Sequence, residues 1–194
     1  TTLNAPTTYT GDTTLSGNNA VFRIGSSSNA LPDPSFTAGP FGTGAITTAA
    51  STTPVVFQPL GADRAVANAI AMTFGFVASN PTAAQDATGN RTLTLPGPIT
   101  LGATGRTITN NLASGVGLTL GSAAAPSTIS LGSTLTVRTQ VAGGGSTIIN
   151  DAVTGSGGLT VQDSAVVQLN GISDYSGITT ITGTGTPKLL VNGS

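Results

Sequence analysis

Three aspartates are the residues whose type and spacing come nearest to a reaction centre. Asp151, Asp163 and Asp174 follow one another at short, nearly equal intervals, so a repeating fold could carry them on neighbouring coils. A pair of carboxylates hydrolyses a glycosidic bond when one protonates the leaving oxygen and the other acts as nucleophile or base. The competing role is local. An Asp at a turn accepts bonds from nearby backbone N–H groups, and that is the role expected here.

Composition closes most other routes. The 194 residues include no His, Cys or Glu, and Lys188 is the single lysine. Acid–base and nucleophilic catalysis draw mainly on those side chains. Serine is plentiful, but it has no base to activate it and no Gly-x-Ser-x-Gly elbow. Gly143-Gly-Gly145 and Gly155-Ser-Gly157-Gly158 lack the Asp of calcium-binding solenoid turns, and no Lys follows them as in a phosphate loop. Tight corners explain them better. The sequence therefore predicts no enzyme, no catalytic residue, no metal and no cofactor. Asn90-Arg-Thr92 and Asn192-Gly-Ser194 match the glycosylation sequon at near-chance frequency. Charged residues make up 7% and the net charge is −1, too little positive charge for nucleic acid or an anionic membrane. The apolar stretch 65–77 is too short to span a bilayer. With no starting Met or basic leader, the chain reads as a mature or excised piece.

The elements are short and extended. Apolar residues alternate along Val66, Asn68, Ile70, Met72, Phe74 and Phe76, which predicts one face of a strand. Leu93-Thr-Leu95, Ile99-Thr-Leu101, Leu118-Thr-Leu120, Ile129-Ser-Leu131, Leu135-Thr-Val137 and Leu159-Thr-Val161 repeat that form, bounded by Gly, Asn, Ser or Pro. The run Arg106-Thr-Ile-Thr-Asn110 returns as Ser146-Thr-Ile-Ile-Asn150, with a looser copy from Arg64. Asn68, Asn110 and Asn150 thus recur at a period of about 40 residues, which indicates stacked units. The predicted fold is all-β, a parallel β-helix (solenoid) occupying 1–194 as a single domain, with about 20 residues per coil and two coils per period.

Val66, Ile70, Phe74, Leu95, Leu101, Ile108, Leu118, Leu120, Ile129, Leu131, Ile148, Leu159, Val161 and Leu169 are expected to point inward. The three Asn share their phase and are candidates for a stacked amide ladder, or else simply mark turns. Residues 31–59 hold five Pro and Phe36, Phe41 and Phe57, and are expected to form an irregular, Pro/Phe-rich insertion. Its Phe rings either cover the coil beneath or offer a contact patch.

The carboxyl end resembles a known family. Gly157-Gly-Leu-Thr-Val161, Val167-Gln-Leu-Asn170-Gly, Asp174-Tyr175-Ser-Gly177, Thr179-Thr-Ile181 and Leu190-Val191 are similar to the autotransporter-associated β-strand repeat of secreted bacterial surface proteins. The usual Lys-Thr-Gly after the Gly-Gly-Leu-Thr step is here Gln162-Asp163-Ser164. The resemblance implies an extracellular or cell-surface β-helix and brings no catalytic residues. The amino end carries the second half again. Leu3, Asn4, Tyr9, Gly11, Thr13, Thr14 and Gly17 recur, at one constant offset, as Leu169, Asn170, Tyr175, Gly177, Thr179, Thr180 and Gly183. Segments 1–28 and 167–194 are thus related end motifs. An offset of about 166 residues, at about 20 per coil, predicts about eight coils and an advance of about 40 Å.

The expected function is a structural, self-assembling unit of an extracellular bacterial filament. Its expected partner is itself, as a head-to-tail homopolymer or a tandem array. The alternatives are an adhesin or passenger stalk that binds a host or glycan ligand through its side, and, disfavoured, a carbohydrate-active β-helix enzyme. A strand-donated β-sandwich is disfavoured by the regular period of the repeat.

Overall fold

The computed structural model describes residues 1–29, 36–49, 52–87 and 89–193. Its strands run in chain order as β1 (Thr2–Leu3), β2 (Thr13–Leu15), β3 (Val21–Ile24), β4 (Ile46–Thr48), β5 (Val55–Pro59), β6 (Arg64–Ala65), β7 (Ile70–Met72), β8 (Phe76–Ser79), β9 (Leu93–Leu95) and β10 (Ile99–Leu101). The second half adds β11 (Arg106–Asn111), β12 (Gly117–Leu120), β13 (Thr128–Leu131), β14 (Leu135–Thr139), β15 (Ser146–Ile149), β16 (Ala152–Gly155), β17 (Leu159–Asp163), β18 (Val166–Leu169), β19 (Thr179–Thr182) and β20 (Lys188–Val191).

Every pairing between these strands is parallel, and they form three sheets. Sheet one is β1-β3-β5-β8-β11-β14-β17-β19, sheet two is β6-β9-β12-β15-β18-β20, and sheet three is β2-β4-β7-β10-β13-β16. From β5 to β18 the chain visits them in the fixed order one, two, three. This is a three-faced parallel β-helix.

The sequence produces this because each strand is a minimal alternating unit. Leu-Thr-Leu puts two apolar side chains inward and one Thr outward, and β-branched residues suit both faces. Parallel register then stacks like on like. Ile46, Ile70, Ile99, Ile129 and Val153 form one inward column of sheet three. Val55, Phe76, Ile108, Val137, Val161 and Ile181 form one in sheet one. Fully burying each such side chain stabilises the stack by about 1.5–3 kcal/mol. Four Phe fill the wider first coils edge to face. The centroids of Phe22 and Phe41 are 5.9 Å apart, those of Phe41 and Phe57 6.0 Å, and those of Phe57 and Phe76 5.4 Å. The aromatics of the 31–59 region therefore mostly cover the core, and Phe36 alone among them stays half-buried at the surface.

Several expectations change. The run Val66 to Phe76 leads from the end of β6 through β7 to the start of β8, three strands in three different sheets. Its alternation survives because the chain turns around one core, so even-numbered residues stay inward through two corners. Phe74 is the exception. It sits half-buried at the corner before Gly75, where a Cβ would collide with the Thr107 carbonyl oxygen. Ile148 points outward, and its neighbours Thr147 and Ile149 are buried, because β15 pairs Leu118 with Thr147 and Leu120 with Ile149. The irregular stretch is shorter than 31–59, since β4 and β5 are ordinary members of the sheets. Asn29 clasps the base of what remains, its Oδ1 accepting from the N–H groups of Thr37 and Ala38. Residues 30–35, with Pro32 and Pro34, lie outside the described residues.

The period marked by the three Asn is not two coils. β11, with Ile108, is in sheet one, and β15, with Ile148, is in sheet two. The repeat is one of strand and turn. Any strand can occupy any face because all three present the same demand to one core. Coils vary widely in length, from the short step between Val161 and Ile181 to the long one between Val21 and Val56.

Candidate functional site

The three aspartates serve three separate local roles. Asp151 is fully buried at the corner after β15. Its Oδ1 accepts from Ser127 N (2.8 Å) and more weakly from Ser122 N (3.4 Å), and its Oδ2 accepts from Ser127 Oγ at 2.5 Å. The carboxylate thereby pins the 122–127 turn. Asp163 ends β17 in the left-handed region, at φ 61°, a conformation that Asp tolerates. Asp174 lies on the sheet-three side and donates its backbone N–H to Val153 O. Among the described residues no three Asp, Glu, His or Cys come together. Lys188 is exposed at the start of β20.

The arginines also serve the scaffold. Arg64 Nε donates to Leu60 O (2.8 Å), Arg106 Nε to Met72 O (3.2 Å) and Arg138 Nε to Thr109 Oγ1 (3.2 Å). Arg64 ties its strand to the preceding corner, Arg106 and Arg138 tie strand to strand, and among the described residues they form no basic stripe.

The predicted Asn column does not exist as such. Asn68 is buried at the corner after β6, donating to Gly42 O and Gly44 O. Asn110 is buried in β11, donating to Gly145 O, Ser146 O and Thr147 Oγ1 while its Oδ1 accepts from Leu112 N. Each satisfies corner carbonyls that would otherwise be buried without a partner. A ladder does form elsewhere. Asn170 Nδ2 donates to Asn150 Oδ1 at 2.9 Å, and Asn192 Nδ2 donates to Asn170 Oδ1 at 3.0 Å. The Leu169-Asn170 and Val191-Asn192 steps, each closing a strand, are its signal in the sequence.

Two surfaces could meet a partner. The first is a groove of about 400 Å³ along the corner between sheets two and three. It is lined by Phe36, Ala67, Pro96, Pro98, Pro126 and Ser127, among others. The second is the last coil. β19 and β20 are the edge strands of sheets one and two. Ile178 is 81% exposed, Val191 65% and Ile181 52%. Ile181 and Val191 continue buried columns, so this face is a core cut across.

At the other end, Tyr9 Oη and Thr13 Oγ1 are 2.6 Å apart, and their counterparts Tyr175 Oη and Thr179 Oγ1 are 2.7 Å apart. The two ends are therefore alike in structure as well as in sequence. They are also rotated. β1 and β2 belong to sheets one and three, and their counterparts β18 and β19 belong to sheets two and one. Comparison with known protein families, curated proteins and solved structures returns no match to this chain.

Proposed function

We propose that this chain is a structural repeat unit of an extracellular bacterial surface fibre or stalk, stacked end to end with others of its kind. The observation that carries the reading is the last coil: an apolar core section, open along two parallel strand edges, that repeats the motif of the first coil. Exposed strand edges recruit further strands, and parallel coils propagate by nearest-neighbour contact. Asp151 is engaged in a turn, and Asp163 and Asp174 lie apart from it with no third carboxylate gathered among the described residues, which favours this reading over catalysis. The resemblance to the autotransporter-associated repeat supports the extracellular setting.

Immunogold labelling of the source cells with antibody to the chain tests it. Label should follow surface fibres, and fibre diffraction should show a meridional spacing of about 4.8 Å. Label confined to the cell interior would refute the assignment.

A second reading, a stalk that binds a glycan or host ligand through its side, is favoured by the groove at Phe36. A glycan array run with the protein and with Phe36→Ala separates the two, since a purely structural unit captures nothing in either form.

A further inference from the structure

The exposed residues of the last coil have buried counterparts in the first. Leu15, counterpart of Ile181, is 2% exposed, and Ile24, which takes the place of Val191, is 0% exposed. The difference is the coil that follows. β4 lies on β2 and β5 lies on β3, whereas nothing in the described chain lies on β19 and β20. The stretch from Gly183 to Val191 is one residue longer than that from Gly17 to Ile24; otherwise the last coil is a first coil without its second.

The equivalence fixes a rotation. β1 in sheet one corresponds to β18 in sheet two, β2 in sheet three to β19 in sheet one, and β3 in sheet one to β20 in sheet two. All three move by one face in the direction of the chain. From β1 to β17 the helix makes six coils, and β18 lies a third of a coil further. The offset of about 166 residues thus spans six and one third coils, about 26 residues each.

We infer, resting on the repeat-unit reading, that units succeed one another in tandem every 166 residues or so, and that each is turned by one third of a turn and raised by about 30 Å. The partner of the exposed end face is the part of a second copy that matches residues 26–59 of this one. The excursion based on Asn29, which follows β3 on the sheet-two side here, would follow β20 on the sheet-three side. An array would then present excursion and groove on all three faces in succession, returning to the first after nineteen coils, about 90 Å.

A chain of residues 1–192 followed directly by 26–194 tests this. Hydrogen exchange of the amides in 179–191 should slow at least about tenfold relative to the single chain. Electron microscopy should show two excursions on adjacent faces, a third of a turn apart. A control, 1–192 followed by 45–194, omits the excursion and brings the second unit on without rotation, β5 over β19 and β6 over β20; it should protect the same amides and show no second excursion. Amides of β8–β17 report folding of the first unit in every chain. Unchanged exchange at 179–191 with that unit folded, or excursions on one face, would each overturn the inference. Fibres on the source cells together with any of those results would leave the structural reading standing. The expected results without fibres would leave the geometry standing and remove the function.

Discussion

Tyr175 Oη lies 2.7 Å from Thr179 Oγ1, and at the equivalent place near the amino end Tyr9 makes the same bond to Thr13 on a different face of the helix. Each bond closes a stretch where a strand is missing from the coil: 4–12 between β1 and β2, and 170–178 between β18 and β19. The 174–176 backbone lies against β16, Asp174 N–H donating to Val153 O and Ser176 N–H to Gly155 O, and Tyr175 packs against the core.

Both hydroxyl pairs are solvent-accessible, so the bond itself contributes little. Tyr9→Phe and Tyr175→Phe should each lower stability by no more than about 1 kcal/mol in urea unfolding. Tyr175→Ala should cost about 3 kcal/mol through lost packing. Equal costs for the Phe and Ala changes would mean that the hydroxyl, not the ring, holds the turn.

Asn110 should be among the most sensitive polar positions. Its amide meets Gly145 O, Ser146 O and Thr147 Oγ1, and Asn110→Ala leaves buried acceptors unpaired. The expected loss is about 2–3 kcal/mol. Asn170→Ala, in the exposed ladder, should cost about 1 kcal/mol or less. If the exposed ladder proves the costlier, amide stacking rather than corner carbonyls governs stability.

Asp151 is a buried carboxylate that accepts several bonds from one turn. Asp151→Ala should destabilise by about 2–4 kcal/mol, and it should loosen the 122–127 segment to limited proteolysis first. Melting with and without a chelator should agree, because among the described residues no carboxylate cluster could hold a hard cation. A drop of several degrees with chelator would reveal a calcium site.

Leu-Thr-Leu alternation is enough to read the all-β solenoid, because strand period and turn residues are local properties. The assignment of strands to faces is not legible. Arg106–Asn110 and Ser146–Asn150 look alike because each contributes an inward apolar residue and a corner Asn, yet a third of a turn separates their faces. The number of residues spent on corners, from Thr73–Gly75 to the long passage between Ser79 and Leu93, decides the face, and corner lengths carry no periodic signal. Ile148 shows the same limit. Ile148 and Ile149 are both apolar, and only the register against Leu118 and Leu120 chooses which is buried. The end equivalence is legible because Tyr, Gly and paired Thr at fixed spacing are rare; its rotation needs the sheets.

The helical parameters of a native fibre would separate a tandem array from docked single chains. In the tandem case the unit repeats after six and one third coils, about 30 Å, with a third of a turn. Docked chains must continue the screw from its free step. The last coil ends on sheet two at β20, so the next vacant place is on sheet three, above residues 172–177. A docked β1 must start there, because any other phase leaves part of a coil empty. From β1 to that place the helix rises seven and two thirds coils, about 37 Å, with two thirds of a turn. The two cases differ by about 7 Å in axial repeat and by a third of a turn in rotation, well within reach of helical reconstruction. Denaturing electrophoresis of the same fibres gives an independent answer: a covalent chain many units long in the first case and a chain carrying a single unit in the second. A fibre with the coil spacing of about 4.8 Å but neither repeat would show that units meet through their sides, and the end faces would then have no part in assembly.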